Sequence, residues 1–156
     1  MRRRKAEKIE PLADPKYNSK LVAKFINSLM YEGKKTVAEN IVYGAFQILE
    51  QKTQESSAIK VFNKAIENAR PKVEVKSRRV GGATYQVPIE VPAPRGSSLA
   101  MRWIRDFARK KKGRPMENKL ADEILSAYKG EGAAVKKRDD THKMADSNKA
   151  FAHLRW

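Results

Sequence analysis

The sequence has 156 residues, the length of a single domain, and 40% of them are hydrophobic, which is enough for a modest core. Lys and Arg number 34 against 18 Asp and Glu, and the formal charge of +16 favours a polyanionic partner, nucleic acid first and an anionic membrane second. No cysteine is present, so disulfides and thiolate metal sites are excluded. With only His142 and His153 available, we expect no metal and no other cofactor.

The N-terminal part is predicted to be an extended basic arm over residues 1–16. It is polar and rich in arginine, and Pro11 and Pro15 would break a helix. Such arms become ordered on phosphates, although a disordered tail would have the same sequence pattern. The arginines precede no apolar stretch, and no apolar run approaches membrane-spanning length, so we expect the chain to stay where it is made.

Three amphipathic helices are predicted to follow the arm. Ser19 is a plausible N-cap for the first, and residues 36–39 have the pattern of a capping box that opens the second. Ser57 opens the third, which a following proline closes. Lys34 and Lys35 lie in the predicted loop between the first two helices. The residues expected to form the apolar faces are Leu21, Val22, Phe25, Ile26, Leu29, Met30, Val37, Ile41, Ala45, Ile48, Leu49, Ile59, Phe62, Ile66 and Ala69. The aromatic residues at core spacing, expected to be internal, are Phe25, Phe46, Phe62, Trp103 and Phe107.

A β-hairpin is predicted over residues 72–91, because two stretches that alternate apolar and polar residues flank two glycines. The apolar residues of both strands are odd-numbered, so the connecting loop should have odd length, which residues 81–83 provide. The pairs expected to face each other are Val73 with Val91, Val75 with Ile89 and Ser77 with Val87, while Lys76, Arg78 and Gln86 take the other face.

An isolated two-stranded ribbon is only marginally stable, so something must support this one. We expect its base to pack through Val73, Val75, Ile89 and Val91, while Arg78, Arg79 and the glycines project as a basic arm. The alternative is an ordinary surface hairpin whose charges are solvated.

Three further helices are predicted after the hairpin. Two prolines should stiffen the exit, residues 95–98 should form a turn and cap, and a fourth helix should run from Leu99 until Gly113. Pro115 suits the first turn of a fifth helix, and a sixth should span from Ala133 to about residue 146. The sequence thus predicts a mainly α fold: a six-helix, bundle-like single domain at 17–146, a protruding two-stranded hairpin between the third and fourth helices, and a tail at 147–156.

The segment from Arg102 to Lys119 is a third basic element, with eight basic residues and only two acids. Together with the arm and the hairpin it favours binding to phosphates, with an affinity that falls steeply with salt. Catalysis finds no support, because there is no Cys nucleophile and neither histidine has a convincing Ser and acid partner. Two binding classes remain open: an RNA-binding structural protein, and an architectural DNA-binding protein that inserts a basic β-arm into a groove.

Several runs of residues resemble the bacterial form of small-subunit ribosomal protein seven. The central ones are Arg79-Val80-Gly81-Gly82, Tyr85-Gln86-Val87-Pro88, Glu90-Val91, Arg95 and Ala100-Met101-Arg102-Trp103. Arg2-Arg3-Arg4 with Asp14-Pro15 resembles the start of that family, and Ala150-Phe151-Ala152-His153 with Arg155-Trp156 resembles its tail. The resemblance covers essentially the whole chain and implies a helical bundle with a protruding hairpin.

The resemblance also implies a function and partners. The family is a primary binder of the three-prime major domain of small-subunit ribosomal RNA, nucleates assembly of the head, and lies near the decoding region, beside exit-site tRNA and mRNA. Its protein neighbours include small-subunit proteins nine and eleven, and it works in the cytoplasm, in the ribosome, without a membrane or small-molecule substrate.

Carried over by position, the resemblance assigns two sets of residues. Those implied to bind ribosomal RNA are Arg2, Arg3, Arg4, Lys8, Lys34, Lys35, Lys72, Lys76, Arg78, Arg79, Arg95, Arg102, Arg109, Lys110, Lys111, Lys112, Arg114, Met116 and Lys119. Those implied to lie near tRNA or mRNA are Arg79, Gly81, Gly82, Tyr85, Arg155 and Trp156.

Overall fold

The computed structural model describes residues 9–53 and 57–154. Within those ranges the chain forms six α-helices, a two-stranded antiparallel hairpin and a 3₁₀ helix. The elements are α1 (Lys20–Leu29), α2 (Lys35–Lys52), α3 (Ala58–Ala69), β1 (Val73–Val80), β2 (Ala83–Glu90), α4 (Ala93–Lys110), α5 (Met116–Tyr128), α6 (Ala133–Ser147) and the 3₁₀ helix (Lys149–Leu154). The predicted mainly α fold, with its hairpin between the third and fourth helices, is confirmed.

Six residues of the predicted binding sets lie outside the described residues, so the structure does not bear on them. They are Arg2, Arg3, Arg4, Lys8, Arg155 and Trp156. Of the helices in the described part of the chain, none combines the length and the apolar character needed to cross a bilayer.

The core lies where α5 packs against α2, α3 and α4. Phe62 of α3 stands at its centre, with its ring centroid 5.0 Å from that of Phe25 and 5.4 Å from that of Phe46. All three rings are fully buried, as their helical spacing predicts, and Trp103 and Phe107 pack against this core while remaining partly exposed. Aromatic side chains therefore hold the bundle together, since each buries a large apolar area.

The first helix begins as predicted, whereas the second does not. The Ser19 hydroxyl accepts a hydrogen bond from the Val22 N–H of α1 at 3.4 Å. The predicted capping box at 36–39 is wrong, because α2 already begins at Lys35 and has no side-chain cap. The buried stripe of α2 comprises Ala38, Val42, Ala45, Phe46 and Leu49, and Val37, predicted to be internal, is 52% exposed.

The start of α4 also differs from the prediction. Residues 95–98 are not a turn and cap but lie in the first turns of a helix that begins at Ala93. Pro94 is tolerated there, because the first turn of a helix leaves its N–H groups without intrahelical partners. Gly96 is buried, and a Cβ at this position would lie 2.7 Å from Cγ of Arg70 and 3.2 Å from the Pro71 carbonyl oxygen. A glycine thus allows α4 to approach the end of α3.

The hairpin register differs by one residue from the predicted one. Val73 pairs with Glu90, and the ladder ends at Val80 with Ala83, so the loop has two residues rather than three. Gly81 and Gly82 both have positive φ, 57° and 88°, as a tight turn matched to the twist of the strands requires. The predicted register is wrong because Val73 and Val75 lie on the face opposite to that of Val87 and Ile89.

The observed register puts a different set of side chains on the face turned to the helical body. Val87 on this face is fully buried, and it shares the face with the residues Glu74, Lys76, Arg78, Tyr85 and Ile89. The hairpin packs there on α6 and on the 3₁₀ helix. The predicted packing is wrong for Val73 and Val75, which lie on the other face, whereas Ile89 lies on the packed face as predicted. All four predicted residues, Val91 included, are only half-buried, and Val87 fills the contact.

The base of the hairpin is held by α6. His142 lies on this helix, and its Nε2 atom accepts a hydrogen bond from the backbone N–H of Lys72 at 3.0 Å. Residues 149–154 of the tail, for which no helical periodicity is visible in the sequence, form the 3₁₀ helix, which contains no buried residue. Its support comes from contacts with the hairpin, which are described below.

Candidate nucleic-acid interface

The turn between α1 and α2 presents Lys34 and Lys35 to solvent. Glu32 and Gly33 both have positive φ, 52° and 74°, and bend the chain directly before them. The Lys34 ammonium lies 3.0 Å from a carboxylate oxygen of Glu32, and that of Lys35 lies 3.7 Å from Glu39. Such exposed pairs contribute little, about 0–1 kcal/mol, so both lysines can exchange these partners for phosphates.

A groove beside this turn brings together predicted residues from three separate elements. It has a volume of about 420 Å³ and is bordered by Lys34, by Arg109 at the end of α4, and by Met116 at the start of α5. Its remaining wall is apolar and includes Tyr31, which is 70% exposed, and Val37. We call this surface the basic groove. Neither apolar residue was predicted to lie at a binding surface, and Val37 was predicted to belong to the core instead.

Hydrogen bonds from two arginines of α4 hold one wall of the basic groove in place. Nη2 of Arg109 donates a hydrogen bond to the Leu29 carbonyl at 2.9 Å and so joins α4 to the end of α1. One turn earlier, Nη1 of Arg105 donates to the Ser28 carbonyl at 2.9 Å. These arginines use part of their hydrogen-bonding capacity within the protein. Arg102, by contrast, is exposed beside a cleft of about 680 Å³ to which Lys24 of α1 also contributes, a residue that the sequence analysis did not assign.

The loop after α4 is strongly basic, but its members are not equivalent. Lys110 and Lys112 are exposed, whereas the ammonium of Lys111 lies 2.8 Å from a carboxylate oxygen of Glu123. Glu123 is 2% exposed, and its other oxygen accepts a hydrogen bond from the Ala134 N–H, in the first turn of α6, at 3.3 Å. A buried carboxylate needs such partners, so Lys111 has a structural role that the sequence did not reveal.

Asp122 ties the neighbouring part of α5 to two cations. The ammonium of Lys52 donates to it at 2.7 Å, and Nη1 of Arg114 donates at 3.4 Å. The hydrogen bond from Lys52 is the main cause that holds the pKa of Asp122 below its ordinary value. Lys119, the last of the predicted residues in this region, is half-buried on α5.

The basic residues of the hairpin also divide into two groups. Lys72, Lys76 and Arg79 are exposed, as are the two turn glycines. Arg78 was predicted to project with the arm but is half-buried, and its Nη1 donates to the carbonyl of Leu154. Tyr85, directly opposite Arg78 in the ladder, packs on the ring of Phe151.

Arg95 forms the firmest ion pair near the hairpin. Its Nε and Nη2 atoms donate to the two carboxylate oxygens of Glu74, each at 2.8 Å. Glu74 is 9% exposed, and these hydrogen bonds raise the pKa of Arg95. A two-pronged pair of this kind is stronger and more directional than a single contact. Arg95 thus connects α4 to β1.

Comparison with known proteins shows to which family the chain that carries this surface belongs. The sequence profile of the family described as Ribosomal protein S7p/S5e matches residues 1–149. The chain belongs to this family. Curated relatives named small ribosomal subunit protein uS7 match along its whole length. That of Thermotoga maritima is 58% identical over 156 residues and that of Campylobacter concisus 59% over 156, with all of both chains covered, and that of Francisella tularensis subsp. holarctica is 59% identical over 155, with 99% of both covered.

Membership of the S7p/S5e family settles the broad function. The chain is a structural constituent of the small ribosomal subunit, where it binds ribosomal RNA, and the predicted resemblance is confirmed. The family is structural rather than enzymatic, so the prediction that the chain is not an enzyme and works in the ribosome is also confirmed. Among the described residues, no cluster of three His, Cys, Asp or Glu side chains could hold a metal ion.

Proposed function

We propose that this protein is a primary binder of the three-prime major domain of small-subunit ribosomal RNA and nucleates assembly of the head. The basic groove is the observation that carries the proposal. It unites Lys34, Arg109 and Met116, far apart in the sequence, around exposed apolar side chains. Cations at the rim suit phosphates, and an apolar floor suits the face of an unpaired base, which is how proteins read irregular RNA.

The hairpin, whose Arg79 belongs to both predicted binding sets, is proposed to contact ribosomal RNA and, in addition, exit-site tRNA and mRNA. Its tip offers Arg79 and two glycines whose backbone no side chain shields, and all three are exposed. A narrow ribbon with little side-chain bulk at its tip can approach a nucleic-acid backbone closely. The tail at 147–156 is proposed to contribute to the same contact, and small-subunit proteins nine and eleven are the proposed protein neighbours.

The test is binding to the isolated three-prime major domain RNA, with duplex DNA as competitor, across a series of salt concentrations. We expect the RNA complex to persist at salt concentrations that abolish DNA binding, because only the RNA offers the shape that fits the groove. Equal competition by duplex DNA, with both complexes dissociating together, would favour an architectural DNA-binding protein and overturn the proposal.

A matched pair of variants locates the interface. The double change Lys34→Ala with Lys35→Ala should weaken RNA binding and reduce the salt slope by about 0.7–0.9 for each phosphate that is no longer neutralised. The control, Lys60→Ala with Lys64→Ala, removes the same charge from exposed positions of α3 outside every predicted basic surface. An equal weakening by both pairs would show that net charge, and not the groove, determines binding.

A further inference from the structure

The hairpin needs support along its length, and the 3₁₀ helix supplies it. A two-stranded ribbon is marginally stable alone, and α6 supports this one at the base, where His142 accepts the Lys72 N–H. Farther along, the face that carries Arg78 and Tyr85 is covered by residues 149–154. The direction of the ribbon therefore depends on how firmly this short helix is attached.

A single cross-strand pair attaches the 3₁₀ helix at two points. Arg78 and Tyr85 lie directly opposite each other in the ladder. The Tyr85 ring packs on that of Phe151, with centroids 5.3 Å apart and planes inclined at 52°. The Arg78 guanidinium donates to the Leu154 carbonyl one turn farther on. The two contacts combine ring packing with a charge-assisted hydrogen bond.

The 3₁₀ helix also contacts α6, which it follows in the chain, but it has no buried core of its own. None of its residues is buried, and a single short run of 3₁₀ conformation has weak intrinsic stability. The guanidinium of Arg78 is meanwhile turned toward the protein, on the face opposite to that of Arg79, which is exposed. A phosphate that recruited Arg78 would have to displace the Leu154 carbonyl, whereas Arg79 offers its charge without such a cost.

We infer that Arg78 and Tyr85 are positioning residues, which hold the 3₁₀ helix against the hairpin and fix the direction of the arm, and that Arg79 makes the contact with nucleic acid. This assignment of Arg79 rests on the proposed function, whereas the attachment of the 3₁₀ helix does not. It changes the sequence-based assignment, in which Arg78, Arg79 and Tyr85 all contact nucleic acid.

The experiment uses the full chain and two readouts: amide hydrogen exchange at residues 149–154, and the salt slope of binding to the isolated three-prime major domain RNA. Arg78→Ala should speed exchange in this segment about tenfold, as removal of a hydrogen bond to a charged group would, and leave the salt slope unchanged. Arg79→Ala, which removes the same charge one residue away, should leave exchange unchanged and reduce the slope by about 0.7–0.9.

Phe151→Ala is the uncharged control and should reproduce the exchange phenotype of Arg78→Ala. Because Phe151 lies in a segment without buried residues, this variant also carries the test alone if Arg78→Ala disturbs folding. Unchanged exchange in Phe151→Ala, or a lower salt slope in Arg78→Ala with unaltered exchange, would overturn the inference. Failure of the unmodified protein to bind the RNA would instead refute the proposed function, since the exchange experiment does not depend on RNA.

Discussion

Arg95→Ala should destabilise the protein rather than only weaken its binding to RNA. The substitution removes both hydrogen bonds from the Glu74 carboxylate, a side chain that is 9% exposed, and leaves the ammonium of Lys76 3.8 Å away as the nearest cation. Breaking a buried pair costs about 3–5 kcal/mol, and an exposed one about 0–1 kcal/mol. The Arg95 side chain is 50% exposed, so water can enter its place. We therefore expect the free energy of unfolding to fall by about 2 kcal/mol.

The assay is urea denaturation followed by circular dichroism, with Arg102→Ala as control because it removes an exposed arginine from the same helix. A double-mutant cycle with Glu74→Ala should give a coupling energy of about 1–2 kcal/mol, and Arg95→Lys should recover only part of the stability, since lysine cannot form the two-pronged pair. Stability equal to that of the control, together with weaker RNA binding, would refute the reasoning and return Arg95 to the RNA-contact set.

Gly96→Ala should cost about 1–3 kcal/mol in denaturation experiments, because its Cβ would press on the inner part of the Arg70 side chain. Gly44→Ala in α2 should be neutral or stabilising by up to about 1 kcal/mol, since it meets only a flexible side-chain end, and an equal destabilisation at both sites would contradict the observed packing. Asp122→Asn addresses pH. The pKa of Asp122 is lowered, chiefly by the hydrogen bond from Lys52, so its stabilisation is complete above the ordinary value of 3.8 and is lost as pH falls through the lower folded value. Near neutral pH, the free energy of unfolding of the variant should be lower than that of the unmodified protein by less than about 1 kcal/mol, and in acid the two values should converge. A difference that stays constant with pH would exclude this ion pair as the cause of the stability loss.

The helices were predictable because their apolar residues recur with helical period, and Phe25, Phe46 and Phe62 are internal as that period indicates. The starts of α2 and α4 could not be predicted, because a proline or a cap-like residue can lie either in a loop before a helix or in the first turn of the helix itself. The hairpin was predictable as an element, but its register depended on whether residues 81 and 82 alone formed the turn, which parity could not decide.

The sequence predicted which segments of the candidate interface are basic, but it did not predict how their side chains are arranged. Basic residues concentrate in the predicted elements, yet sequence does not reveal that Arg78, Arg95 and Lys111 have partners inside the protein. Those partners come from segments distant in the chain, so only the folded arrangement identifies them. The same holds for Tyr31, whose exposure beside Arg109 depends on how α1 meets α4.

The buried carboxylate of Glu123 has a consequence for how the two ends of the molecule act together. It holds Lys111 in the basic loop with one oxygen and the start of α6 with the other, and α6 in turn supports the hairpin. The loop and the hairpin are thus kept at a set separation, as two sites on a rigid spacer. Under the RNA contacts proposed above, engagement of one site by a large RNA would place the other at a high effective concentration near its target, which would strengthen binding at both sites without any additional interaction.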